Sequence, residues 1–122
     1  MNAELHQKIG RLYLKEGKME AAKAAYERSL ELDPCDPWTH LYLGNWHYTA
    51  DENREAAKCF EYAAHLLSEI PVAFWCLGDA YAALGFDALA TEHYRRALDM
   101  DPSDETARKR WQNWQNVYGS KG

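Results

Sequence analysis

Histidine and cysteine are the residue types in this sequence that could ligate a metal or act as nucleophile and base, and five histidines and three cysteines are present. His40 and His47 lie seven residues apart and would share one face of a helix. No His-Glu-x-x-His motif, no pair of histidines four apart and no Cys-x-x-Cys spacing accompanies them, so no metal centre is expected. Cys76 has Asp79 about one turn further on but no histidine base near it in the chain, and a reactive thiolate needs such a neighbour. Acidic residues crowd two short segments, Glu31, Asp33 and Asp36, then Asp99, Asp101, Asp104 and Glu105. Neither has the spacing of a calcium loop. Both lead into predicted helices, whose N-termini favour carboxylates. The glycines at positions such as Gly10 are single and inside a helical pattern, not gathered into a phosphate-cradling loop. Arg108, Lys109 and Arg110 are too short a basic run for a nucleic-acid tract. The expectation is a protein with no catalytic activity, no cofactor and no metal.

Charge and composition narrow the partners. Within 122 residues and a formal net charge of −5, a general nucleic-acid or anionic-membrane binder is disfavoured. The longest apolar run, Val72 to Leu77, is six residues, far short of a bilayer span. The opening Met1-Asn2-Ala3-Glu4 lacks the basic and then apolar segments of a secretory signal. An odd number of cysteines, Cys35, Cys59 and Cys76, suits a reducing compartment, and a cytoplasmic location is expected. What remains is another protein as partner.

Positioning follows from a repeat. Ile9-Gly10, Leu43-Gly44 and Leu77-Gly78 are separated by 34 residues, and three residues beyond each glycine stand Tyr13, His47 and Tyr81. Ala22, Ala56 and Ala90 keep the same interval, as do Tyr26, Phe60 and Tyr94, then Ser29, Ala63 and Ala97. Pro34 and Pro102 close the outer copies, where the middle copy has Ser68. Within each copy the apolar residues recur at steps of three and four, as in Leu5, Ile9, Leu12 and Tyr13, which is helical periodicity. Gly17 and Gly85 interrupt the outer copies as helix stops. Asp36 before Pro37 reads as an N-cap followed by a first-turn proline, and Pro71 opens the third copy in the same way. The pattern predicts helix pairs at 3–16 and 19–32, 37–50 and 53–66, and 71–84 and 87–100. A seventh helix is predicted at about 104–118. Small Ala22, Ala56 and Ala90 are expected to fill the slots facing Gly10, Gly44 and Gly78. Trp111, Trp114 and Val117 are expected to form the buried stripe of the last helix, closing a stack that no single pair could stabilise alone.

These residues resemble the tetratricopeptide repeat family, whose pattern W-x2-L-G-x2-Y, A-x3-F and P recurs every 34 residues. The pattern stands here as His6-x2-Ile9-Gly10-x2-Tyr13, Ala22-x3-Tyr26 and Pro34, then His40-x2-Leu43-Gly44-x2-His47 and Ala56-x3-Phe60, then Phe74-x2-Leu77-Gly78-x2-Tyr81, Ala90-x3-Tyr94 and Pro102. His6 and His40 take the tryptophan slot, His47 the tyrosine slot, and Asp51 the slot of the hinge glycine. The resemblance implies an all-α fold, a right-handed α-solenoid of three antiparallel helix pairs plus a capping helix. Its division would be 3–36, 37–70 and 71–104 for the repeats, 105–118 for the cap and 119–122 for a tail.

The resemblance further implies a non-catalytic protein–protein interaction adaptor, which binds a peptide or helix segment in a concave groove lined by the first helix of each pair. By register that groove would be built from Arg11, Trp38, Leu41, Tyr42, Asn45, Tyr48, Val72, Trp75 and Asp79, with Gln7 and Cys76 beside them. Lys8 and Lys15 would form a basic rim at one end, and Lys109 and Arg110 at the other. Its aromatic centre suits large apolar anchors. Family members that hold the acidic tail of heat-shock chaperones do so with two lysines, two asparagines and an arginine. The matching positions here are Gln7, Arg11, Tyr42, Val72 and Cys76, none with the family's residue, so that tail is not the expected ligand. Two alternatives stand beside this reading. One is a structural module that self-assembles through its Trp-rich last helix, and the other is a small cytoplasmic chaperone for a secretion substrate. The chain is expected to be a monomer or a weak homodimer.

Overall fold

A computed structural model describes residues 2–119. Among them are seven helices and no strand: α1 (Ala3–Lys15), α2 (Met19–Leu32), α3 (Pro37–Thr49), α4 (Asn53–Leu66), α5 (Pro71–Leu84), α6 (Asp87–Met100) and α7 (Glu105–Tyr118). The predicted helices agree with these to within a residue. Residues 120–122 of the predicted tail lie outside the described part.

Side chains cap the starts of α1, α3 and α7. The Asp36 carboxylate accepts the Trp38 amide at 3.1 Å and Pro37 opens α3; Asp104 accepts the amides of Thr106 and Ala107 ahead of α7. The first helix of every pair stops in the same way. Residues 17, 51 and 85 are left-handed, and the amide beyond each bonds back to a helical carbonyl, Lys18 to Tyr13, Glu52 to His47 and Phe86 to Tyr81, at 2.8–2.9 Å. Such a stop favours glycine, because a Cβ crowds the backbone at positive φ. Gly17 and Gly85 comply, whereas Asp51 holds φ at 63°. Asp51→Gly is therefore expected to stabilise the fold by about 0.5–1 kcal/mol, the strain relieved exceeding the extra freedom given to the unfolded chain. A higher urea midpoint at unchanged slope would show it; an unchanged or lower midpoint would mean the left-handed turn carries no strain.

Packing runs along the chain, each helix chiefly against its neighbours, with α7 laid on α6 and α5. Within each pair the ring of Tyr26, Phe60 or Tyr94 presses on Gly10, Gly44 or Gly78, so closely that an added Cβ would meet ring carbons at 2.5–2.7 Å. The slot facing each glycine is thus filled by the aromatic ring and not by the expected alanine. Ala22, Ala56 and Ala90 are fully buried elsewhere in the interface. The rings also reach onward, Tyr26 stacking on Tyr42 of the next pair and Tyr94 tilting against Trp114 of α7.

Two further expectations change. Gln7, placed by register on the groove face, is buried; its amide donates to Asp36 and to Thr39, both at 3.0 Å. Thr39 donates to Asp36 and lies beside Ser29, whose hydroxyl donates to the Ala3 carbonyl. This polar junction locks α1 and α2 onto the start of α3, and each member is satisfied, as burial requires. In α7, Ala107 and Trp114 are buried while Val117 is 54% exposed. The buried positions of α7 are thus a step of seven apart, while Val117 lines a shallow hollow with Asp87, Tyr94 and Asn113.

Candidate binding groove

The first helices of the pairs, α1, α3 and α5, put their exposed side chains along one face of the stack, and α7 closes its end. Between α3 and α5 the face dips into a pocket of about 260 Å³ lined by Leu41, Tyr42, Asn45, Tyr48, Phe60, Val72, Trp75, Cys76, Asp79 and Arg110. Leu41, Phe60 and Cys76 are buried and form an apolar floor. Tyr42, Tyr48 and Trp75 are walls, with Tyr48 38% exposed. The i, i+3, i+4 and i+7 spacing of Leu41, Asn45 and Tyr48, and of Val72, Cys76 and Asp79, brings each set to one face.

Seven of the nine expected groove residues share this pocket. Arg11 lines an adjoining hollow with Leu14, Lys15, Tyr42 and Asn45, its guanidinium 4.5 Å above the Tyr42 ring. Trp38 is half-buried against the core one turn before Tyr42, with ring centroids 6.4 Å apart, and does not line the pocket. The expected rim divides. Lys15 stands beside Arg11, but exposed Lys8 pairs with Glu4 at 3.2 Å. Lys109 pairs with Glu105 at 3.0 Å and lines a separate depression with Ser103, Arg108 and Gln112. Arg110 lies inside the groove: its Nε donates to Asp79 Oδ2 at 3.0 Å, and its guanidinium stacks 5.0 Å from the Trp75 ring.

Asp79 is the electrostatic centre. Burial pushes its carboxyl above the ordinary range, and two donors oppose that, Arg110 on one oxygen and the Tyr94 hydroxyl on the other at 2.6 Å. A carboxylate with both oxygens engaged positions Arg110 and is not itself a free ligand. The same burial, followed by the Asp79 charge, raises the Cys76 thiol, so at neutral pH it is a protonated, apolar lining group. Burial also raises the hydroxyl of Tyr48, with Asp79 adding to the shift. Among the described residues no three histidine, cysteine or acidic side chains are grouped to hold a metal, and no helix is long and apolar enough to cross a membrane. The chemistry available is recognition of an apolar group beside a fixed guanidinium.

The tetratricopeptide repeat profile matches residues 3–34 and 73–104, half of the chain. This chain belongs to the tetratricopeptide repeat family. The middle copy, where His40, His47, Asp51 and Ser68 depart from the pattern, lies outside the match. Its rings nevertheless find partners, His40 on Tyr62 at 4.2 Å and His47 edge-on to Trp46 at 5.2 Å. Among solved structures, the first TPR domain of human RPAP3 superposes with a TM-score of 0.88 at 23% identity, over 98% of this chain and 94% of that one. The first TPR of Spaghetti, solved with the HSP90 peptide SRMEEVD, gives 0.87 at 21%, over 97% and 94%. The Sgt2 TPR domain of Aspergillus fumigatus gives 0.88 at 14%, over 98% and 82%. No curated protein sequence matches. At these identities the likeness is one of fold, the right-handed tetratricopeptide solenoid.

Proposed function

We propose that this chain is a non-catalytic adaptor that holds a peptide or helix segment of another protein in the groove between α3 and α5. The observation that carries the reading is the pocket itself, an apolar floor with aromatic walls left facing water. Rigid aromatics in such a position are typical interface anchors. The Spaghetti domain of the same fold holds a peptide, which supports a peptide as the occupant here. The five positions that would grip an acidic chaperone tail are differently used in this chain. Gln7 is committed to Asp36 and Thr39, Arg11 covers Tyr42, and Tyr42, Val72 and Cys76 belong to the apolar pocket. The ligand proposed is accordingly one with a large apolar anchor.

Trp75→Ala is expected to weaken capture of peptides selected from a displayed library by about thirtyfold or more, as loss of a central aromatic anchor does. Helical circular dichroism should stay unchanged. Titration of wild type and variant with the selected peptides measures it. Undiminished affinity in both Trp75→Ala and Tyr48→Ala would place binding on another face. Self-association through α7 has less support, because Trp114 is buried and Trp111 lies under the Arg95 guanidinium at 5.3 Å. The adaptor is accordingly proposed as a monomer or weak homodimer. Cytoplasmic residence belongs to the same proposal, supported by three unpaired cysteines.

A further inference from the structure

We propose that Arg110 of the capping helix determines specificity, so that the groove takes a protein segment in which an Asp or Glu lies within about three residues of a large apolar anchor. The proposal rests on the groove being the binding face and adds the chemistry of its occupant. Three observations carry it.

First, the guanidinium is fixed before any ligand arrives. Its Nε is tied to Asp79, whose other oxygen is held by Tyr94, and its Cζ lies over the Trp75 ring, 5.0 Å from the centroid. The hydrogen bond to Asp79 engages only Nε, at one edge of the guanidinium fork. Arg110 keeps 40% of its side chain accessible, and a planar fork so placed suits the two oxygens of a carboxylate. Second, that fork lines the same pocket as Leu41, Val72 and Trp75, so an apolar side chain seated there brings its neighbours in the segment to the guanidinium. Third, the charge is of the matching sign. The pocket and its adjoining hollow contain the cations Arg11, Lys15 and Arg110 against one acid, Asp79, which is already engaged, although the chain as a whole carries −5. Beyond Arg110 toward the end of α7 the lining gains Asp87, which confines the favourable stretch to the span from Arg11 to Arg110.

The test pans a random peptide library on the intact protein and then titrates a synthetic peptide of the enriched sequence. Enriched peptides should share an apolar residue with an acid nearby. Changing that acid to its amide should cost wild type about tenfold or more in affinity, a charge-assisted hydrogen bond being involved. In Arg110→Lys, which keeps the charge and loses the fork, the same change should cost about threefold or less. Enriched peptides that bind through Trp75 but lack acids, or an acid-to-amide cost equal in wild type and Arg110→Lys, would overturn the role of Arg110 and leave the adaptor reading standing. Enrichment indifferent to Trp75→Ala would remove both. An Arg110→Lys protein that no longer unfolds cooperatively is replaced by the acid-to-amide comparison at several salt concentrations in wild type. Salt-insensitive binding would also overturn the proposal.

Discussion

Gly78→Ala is expected to destabilise the fold by about 2 kcal/mol or more, although alanine is the better helix former by about 1 kcal/mol. The added methyl carbon would lie 2.5 Å from two ring carbons of Tyr94 and 2.8 Å from a third. A ring can yield only if it has somewhere to go. Tyr94 is buried, its hydroxyl is anchored on Asp79 and its ring lies 5.6 Å from that of Trp114. The overlap must therefore be relieved by pushing α5 from α6, along an interface as extensive as that of α1 with α2. Gly10→Ala meets Tyr26 at 2.7 Å, a ring without such an anchor on its hydroxyl, and should cost less. Urea midpoints measure both, and a double variant Gly78→Ala with Tyr94→Leu should recover part of the loss through coupling of neighbouring sites. Equal or greater stability in Gly78→Ala would mean that the ring moves freely and that the glycine is not required for close approach.

Much of the helix pattern was legible because it is announced locally. Asp36 and Pro37 start a helix, Gly17 and Gly85 end one, and the 34-residue interval repeats the arrangement. The groove was legible to the extent that it follows register, which brought Tyr42, Tyr48, Val72 and Trp75 together. Contacts decided by how one pair seats on the next were not legible. Gln7 meets Asp36 across 29 positions and Arg110 meets Asp79 across 31. No local pattern distinguishes a glutamine that bonds to the N-cap side chain of a neighbouring helix from one that faces a ligand. Lys109 and Arg110 are adjacent and alike in charge, yet a helix turns about 100° between them, so one pairs with Glu105 in solvent and the other enters the groove. Phe60, one of the three rings pressed on a glycine, is also pocket floor.

Removal of residues 105–122 is expected to cause aggregation or a large loss of unfolding cooperativity, an effect larger than that of Gly78→Ala. The truncated chain would lose Trp114, whose ring covers Tyr94 and whose Nε1 donates to the Thr91 hydroxyl at 2.7 Å. Losing a buried tryptophan costs about 3–5 kcal/mol, a large part of the 5–15 kcal/mol by which a domain is stable. The truncation also removes Arg110 and leaves Asp79 with the Tyr94 hydroxyl alone against burial. That second loss can be separated from the first. Asp79→Asn in the truncated chain removes the charge that has lost its partner while the exposed apolar face remains, so it should restore part of the midpoint but not the solubility. In the full-length chain the same change should help less, since Arg110 and the Tyr94 hydroxyl already offset part of the burial of the charge. Urea denaturation and gel filtration of the four proteins measure both parts. A truncated chain that stays monomeric with an unchanged midpoint would show that α6 needs no cover. Asp79→Asn effects of equal size with and without α7 would show that Arg110 does not stabilise the carboxylate.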